Sequence, residues 1–185
     1  MSGRESSQTR VGIIMGSDSD LGTMRHVGDA LRHIGLGSSI YEERVISAHR
    51  TPSAMTQYAG VAAARGLQVI VAGAGGSAHL PGMVASETRL PVLGVAITGS
   101  PDVMNPALGS MIRMPKGKPL ATFEGEAGAF NAGLFTARIL ALSNPGIDDR
   151  LRQYDEALAV EVMSKDELLR TMGAEEYLIA SQQGR

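Results

Sequence analysis

Two short segments hold residue types able to move a proton beside a bound anion. They are Ser47-Ala48-His49-Arg50-Thr51-Pro52 and Gly73-Ala74-Gly75-Gly76-Ser77-Ala78-His79-Leu80-Pro81-Gly82-Met83. An imidazole exchanges protons near neutral pH. The guanidinium of Arg50, next in the chain, suits a phosphate or carboxylate, and Ser47 can donate to the same anion. In the second segment Gly75, Gly76, Ser77 and Ala78 form a wall of small residues ending at His79 and Leu80. Such a wall lets backbone amides approach a planar, anionic ligand closely. The residues leave two plainer readings open: a histidine bonded to backbone in a tight turn, and a glycine turn packed on a helix.

A third loop, Gly16-Ser17-Asp18-Ser19-Asp20, offers glycine, two hydroxyls and helix-start amides, which together can cradle a phosphate. Two carboxylates beside a phosphate would repel it. Asp20 therefore either accepts from ribose hydroxyls or caps the following helix. No Gly-Lys-Ser/Thr follows, so this is not a nucleoside-triphosphate loop. The run Gly73 to Ala78 matches G-x-G-x-x-A, but Pro81-Gly82 interrupts the required helix and no acid stands about twenty residues on. It is not read as a dinucleotide site. His26 and His33, seven apart, share one helix face among Arg25, Asp29 and Arg32, and are expected to face solvent.

These loops need elements to hold them. Apolar runs predict strands over Val11–Met15, Ser39–Ile46, Leu67–Ala72, Pro91–Ile97 and Leu120–Phe123. The second is the most polar and is expected nearer an edge. Leu21, Met24, Val27, Leu31 and Ile34 recur at helical spacing and stop at Gly35. Thr51-Pro52 opens a second helix, with threonine as cap and proline in the first turn. Further helices are expected over Pro81–Thr88, Pro106–Arg113 and Ala127–Leu142. After Asn144-Pro145-Gly146 another helix carries Leu151, Tyr154, Leu158 and Val162, and Ser164-Lys165-Asp166-Glu167 reads as a capping box opening a last one. Alternating strand and helix predicts a parallel sheet covered on both faces. In such folds the loops gather at the carboxyl edge of the strands, where ligands bind. The expected division is a flexible tail over 1–10, an α/β domain over 11–143, and a C-terminal helical arm over 144–185. The arm packs either on its own subunit or on a neighbour.

Composition narrows the chemistry. The net charge is -2, which favours neither nucleic acid nor an anionic membrane. There is no cysteine, hence no thiol nucleophile, thiolate site or disulfide. No cluster has metal-ligand spacing, and no serine–histidine–acid set is assignable. No apolar run reaches the ~18 residues of a membrane span, and the polar first ten residues lack a signal-peptide core. A cytoplasmic protein is expected.

With these residues in view, the chain resembles the class I N5-carboxyaminoimidazole ribonucleotide mutases of purine biosynthesis, the PurE family. The resemblance runs from about Val11 to Leu142. It is carried by Met15-Gly-Ser-x-Ser-Asp20, Ser47-Ala-His-Arg-Thr-Pro52, Ala72-Gly-Ala-Gly-Gly-x-Ala-His-Leu-Pro-Gly-Met83, Leu90-Pro-Val-Leu-Gly-Val95 and Asn131-Ala-Gly-Leu134. It implies a flavodoxin-like three-layer domain, an octamer with sites between subunits, and an isomerisation without metal or organic cofactor. The substrate implied is a small ribonucleotide whose carboxyl group leaves the exocyclic nitrogen as carbon dioxide and is recaptured by the ring carbon. His49 matches the general acid/base, with His79 as the second catalytic histidine. Ser17, Asp20 and Arg50 match nucleotide-binding residues, Ser19 and Ser47 assist at the phosphate, and Gly16 and Ala48 line the substrate beside them. The wall Gly75, Gly76, Ser77, Ala78 and Leu80 would enclose the carbon dioxide. The chain departs from the family at Ile97–Pro101, at Pro106–Pro115, where an aspartate and a serine are lost, and at Phe123-Glu124-Gly125-Glu126. A class II-like carboxylase using free carbon dioxide and a non-catalytic nucleotide-binding module are the alternatives.

Overall fold

The computed structural model describes residues 9–97 and 105–183. Five strands form one parallel sheet: β1 (Val11–Met15), β2 (Tyr41–Val45), β3 (Val69–Ala74), β4 (Val92–Ala96) and β5 (Ala121–Glu124), in the order β2-β1-β3-β4-β5. This is the flavodoxin-like order, in which the chain reverses between β1 and β3. β1, β3 and β4 are buried along their whole lengths, as expected of parallel strands covered on both faces. β2 is an edge strand, which explains its polar sequence. The expected strand over Ser39–Ile46 starts two residues before β2 and ends one after it, and that over Leu67–Ala72 lies two residues ahead of β3. A 3-10 turn over Ser38–Ile40 takes the start of the former.

The helices are α1 (Leu21–His33), α2 (Pro52–Val61), α3 (Leu80–Glu87), α4 (Pro106–Ile112), α5 (Gly125–Ala141), α6 (Pro145–Met172) and α7 (Ala174–Gln183). One core layer joins the sheet to α1, α5 and the root of α6 through residues such as Met24, Leu31, Leu140 and Leu151. The other joins it to α2, α3 and α4 through Met55, Val84 and Met111. Glycine sets the spacing in the first layer. A Cβ on Gly133 would stand 2.5 Å from the Val27 carbonyl oxygen, so α5 lies against the backbone of α1. On the opposite face, Tyr58 reaches over Gly12 and donates to Glu42 Oε1 at 2.9 Å, while Arg65 Nη2 holds the other oxygen at 2.6 Å. Burial raises the Glu42 carboxyl, but these two hydrogen bonds outweigh it and hold the group below its ordinary range.

Arg10 already belongs to the domain: its amide donates to Ile40 at 2.8 Å and its carbonyl accepts from Gln68 at 2.7 Å. At the other end, the capping-box reading of Ser164–Glu167 is overturned, because α6 runs unbroken through it for 28 residues. Nothing there interrupts the helix, and the Lys165–Glu161 and Arg170–Asp166 pairs support it at i,i+4 spacing. The break comes at Gly173, whose φ of 80° suits glycine. The root of α6 is fixed: Arg150 Nη1 donates to the Gly35 carbonyl at 3.0 Å, and Tyr154 stands edge-on to His33 at 5.5 Å. No helix among the described residues is long and apolar enough to cross a membrane.

Candidate functional site

Register puts three loops at one edge. Met15 is level with Val45 on one side and Gly73 on the other, so the loops after β1, β2 and β3 leave the sheet side by side. They enclose a hollow of about 370 Å³, lined by Gly16, Ser17, Asp20, Ser47, Ala48, His49, Arg50, Gly75, Ser77, His79 and Leu80, with Ala74 at its floor. Ala74 was not singled out from the sequence; it is the last residue of β3, and only its place in the register brings it here.

His49 and His79, thirty residues apart, meet with Nε2 to Nδ1 at 2.7 Å and rings nearly perpendicular. That contact uses one proton and one lone pair, so one ring donates to the other. Arg50 is aimed by its own loop. Its amide donates to Ser47 Oγ at 3.2 Å, its Nε reaches the same oxygen at 3.4 Å, and its Nη2 donates to the Gly16 carbonyl at 3.0 Å. The second loop is thereby tied to the first. Thr51 occupies the start of α2, but its hydroxyl makes no cap bond to the helix. It accepts from the Ser47 amide and donates to the Ser47 carbonyl, each at 3.0 Å, closing the turn that presents His49.

Asp20 takes part with Ser17 in a capping box that closes the 3-10 turn Asp18–Asp20 ahead of α1. Its carboxylate makes no cap bond to α1 and turns back to accept from the Ser17 amide at 3.1 Å. Burial raises the carboxyl above its ordinary value, opposed by the Ser17 and Gly16 amides and by the Arg50 guanidinium. One rim of the hollow thus carries a carboxylate able to accept from hydroxyls, and beside it a guanidinium able to hold an anion. Of the imidazole pair, His49 shares the loop of Arg50 and His79 stands on the loop after β3.

Three expected residues do not line the hollow. Ser19 is exposed and its amide donates to Asp18 Oδ1 at 3.1 Å. Gly76, with φ of 56°, makes the turn that carries Ser77 past the strand end. Ala78 is buried and faces a neighbouring hollow together with His79 and Met83. Of the other histidines, His33 packs against Phe130 and Tyr154. His26 departs from the expected solvated face: it lies half-buried, with Nδ1 3.2 Å from Asp29 and Nε2 3.7 Å from Glu126. The divergent Phe123–Glu126 run thereby contacts α1 and ends outside the hollow. Of the Ile97–Pro101 departure, only Ile97 falls within the described residues.

Residues 10–161 match the model of the AIR carboxylase family. A protein of Thermotoga maritima named N5-carboxyaminoimidazole ribonucleotide mutase is 47% identical over 169 residues, covering 91% of this chain and 96% of its own length. A mutase of the same name from Pseudomonas aeruginosa is 50% identical over 145 residues, covering 78% and 87%. Among solved structures, Treponema denticola PurE aligns with a TM-score of 0.74 at 27% identity, covering 87% of this chain and 98% of that one.

Proposed function

We infer the reaction from one premise: this chain belongs to the AIR carboxylase family. It is an enzyme of purine biosynthesis that converts N5-carboxyaminoimidazole ribonucleotide into 4-carboxyaminoimidazole ribonucleotide. The observation supporting the chemistry is the placement of His49, beside Arg50 and against His79, in a hollow that Asp20 also lines.

The carbon–nitrogen bond of the carbamate breaks, releasing carbon dioxide, and the exocyclic nitrogen takes a proton from His49. The ring carbon then attacks the carbon dioxide, and its displaced proton returns to His49. One imidazole serves both transfers, so the protein ends in the protonation state in which it began. His79, in hydrogen-bond contact, fixes which His49 nitrogen carries the proton. Arg50, Ser47 and Ser17 would bind the phosphate, and Asp20 would accept from the ribose hydroxyls. Ser19 approaches the phosphate only if its exposed loop closes over it. The wall Gly75, Ser77 and Leu80, with Gly76 at its turn, would hold the carbon dioxide next to the ring, where it reacts before it escapes. The same reading makes the protein a cytoplasmic homo-octamer whose helical arm, residues 144–185, joins subunits.

Purified protein given N5-carboxyaminoimidazole ribonucleotide should form the 4-carboxy product with no added nucleotide. Binding without turnover would instead mark a non-catalytic module. The carboxylase alternative has one support: a Vigna aconitifolia protein named phosphoribosylaminoimidazole carboxylase, chloroplastic, is 45% identical, though this chain covers only 30% of it.

A further inference from the structure

We propose that Asn105 is a positioning residue for this reaction, bracing from behind the wall that holds the carbon dioxide. The inference rests on the mutase reading above and names the side chain on which that wall depends. Three polar side chains are buried among the described residues: Asp20, Asn105 and Thr136. Asp20 belongs to the hollow, and Thr136 Oγ1 has no hydrogen-bond partner. Asn105 stands just before the divergent Pro106–Pro115 run and lies outside the lining of the hollow. Its carboxamide is bonded at both ends, and a buried polar group so satisfied fixes the segments it joins.

The two bonds go to different segments. Asn105 Oδ1 accepts from the Ala107 amide at 3.0 Å, which caps α4. Nδ2 is thereby turned the other way and donates to the Ile97 carbonyl at 3.4 Å. Ile97 follows β4 directly, and its own amide donates to the Ala74 carbonyl at 3.0 Å. Asn105 therefore ties the start of α4 to the ends of β4 and β3.

Those strand ends carry the wall. Ala74 is the floor of the hollow and Gly75 follows it. A Cβ on Gly75 would stand 3.5 Å from Ile97 Cβ and 3.8 Å from the Ile97 carbonyl oxygen. The carbonyl that Asn105 holds thus backs Gly75, which has no side chain to fill the space a shifted Ile97 would leave. The far end of the wall is braced from α4. Met111 shares a buried cluster with Leu80, and a Cβ on Gly82, in the first turn of α3, would stand 2.7 Å from Met114 Sδ.

Carbon dioxide is neutral, so its retention depends on enclosure more than on any bond to it. A loosened wall leaves the nucleotide contacts in place, because Ser17, Asp20 and Arg50 stand on the loops after β1 and β2. The loss falls on recapture, hence on kcat and on the origin of the carboxyl carbon, with KM unchanged.

The test is turnover of carboxyl-labelled N5-carboxyaminoimidazole ribonucleotide in excess unlabelled bicarbonate, by wild type and by Asn105→Ser. Serine caps a helix as asparagine does but is too short to reach Ile97. The variant should melt close to wild type and keep its KM, while kcat falls by up to about 10²-fold, the scale of a small misplacement, and the product gains unlabelled carbon. Asn105→Asp keeps the shape and the cap but turns an acceptor on the Ile97 carbonyl, and should do the same. Full retention of the label in either variant, or a loss confined to KM, would overturn the role of Asn105 and leave the mutase standing. Failure of both variants to fold would overturn it too, since a structural role would then suffice. Loss of the label by the wild type itself would overturn the mutase reading and this inference together.

Discussion

His49 carries the proton in this account, and the side chains around it divide the remaining work. His49→Asn should keep the fold and ligand binding while turnover falls by about 10²–10⁴-fold, the usual cost of losing a general acid/base. Near wild-type turnover in a steady-state assay would remove His49 from the reaction. Arg50→Ala should weaken ligand binding by about 1.5–3 kcal/mol, read by calorimetry. Arg50→Lys should restore only part of it, because an ammonium cannot span both Ser47 Oγ and the Gly16 carbonyl. Asp20 gives a test with a sign. Its folded-state carboxyl is raised by burial, so its ionisation is a cost to folding that grows as pH rises through the carboxylate range and persists at neutrality. Asp20→Asn should therefore melt no lower than wild type at pH 7, while ligand affinity falls. A clear drop in melting temperature would refute the burial argument. At this scale the sequence was informative where chemistry is local. Ser47, His49 and Arg50 share one turn, and their types announce it. Strand–helix alternation brought the His49 and His79 loops to one sheet edge; that the two rings touch depends on the parallel register, which levels the ends of β2 and β3.

Helix–helix approach is the contact that single substitutions test best. Gly133 lets α5 rest on the Val27 carbonyl, a backbone group that cannot rotate away. Gly133→Ala should destabilise by about 1–3 kcal/mol in denaturant unfolding, as overpacking does. Gly60→Ala, where an added Cβ meets nothing within 4 Å, should be neutral or stabilising. Equal effects would mean that α1 and α5 do not set this spacing. The elements were largely legible: the runs Val11–Met15, Ser39–Ile46, Leu67–Ala72, Pro91–Ile97 and Leu120–Phe123 each overlap one of the five strands. What failed was the boundary inside α6. Ser164-Lys165-Asp166-Glu167 has the composition of a capping box, but a cap needs a residue that leaves the helix, and only Gly173 does so. Similarly, Thr51 stands at the start of α2 yet spends its hydroxyl on Ser47, because the turn presenting His49 needs both of its bonds.

The whole molecule is a flavodoxin-like domain with an arm whose root is part of the core and whose length is not. Removing residues from Asp155 onward should leave the domain folded, since Ile147, Arg150, Leu151 and Tyr154 remain in place, while light scattering shows fewer subunits per particle than the intact chain. An unchanged particle would leave the proposed octamer standing and remove the arm from its assembly. Periodicity in the sequence announced the arm, but nothing in the sequence announced how little of it its own subunit covers. The reaction is tested most directly by isotope. N5-carboxyaminoimidazole ribonucleotide labelled in its carboxyl group is turned over in a large excess of unlabelled bicarbonate, and the 4-carboxy product is analysed by mass. Retention of the label in the product is the predicted result, because the carbon dioxide is held in the hollow between release and recapture. A product carrying solvent carbon instead would contradict a mutase and identify a carboxylase that draws on free carbon dioxide.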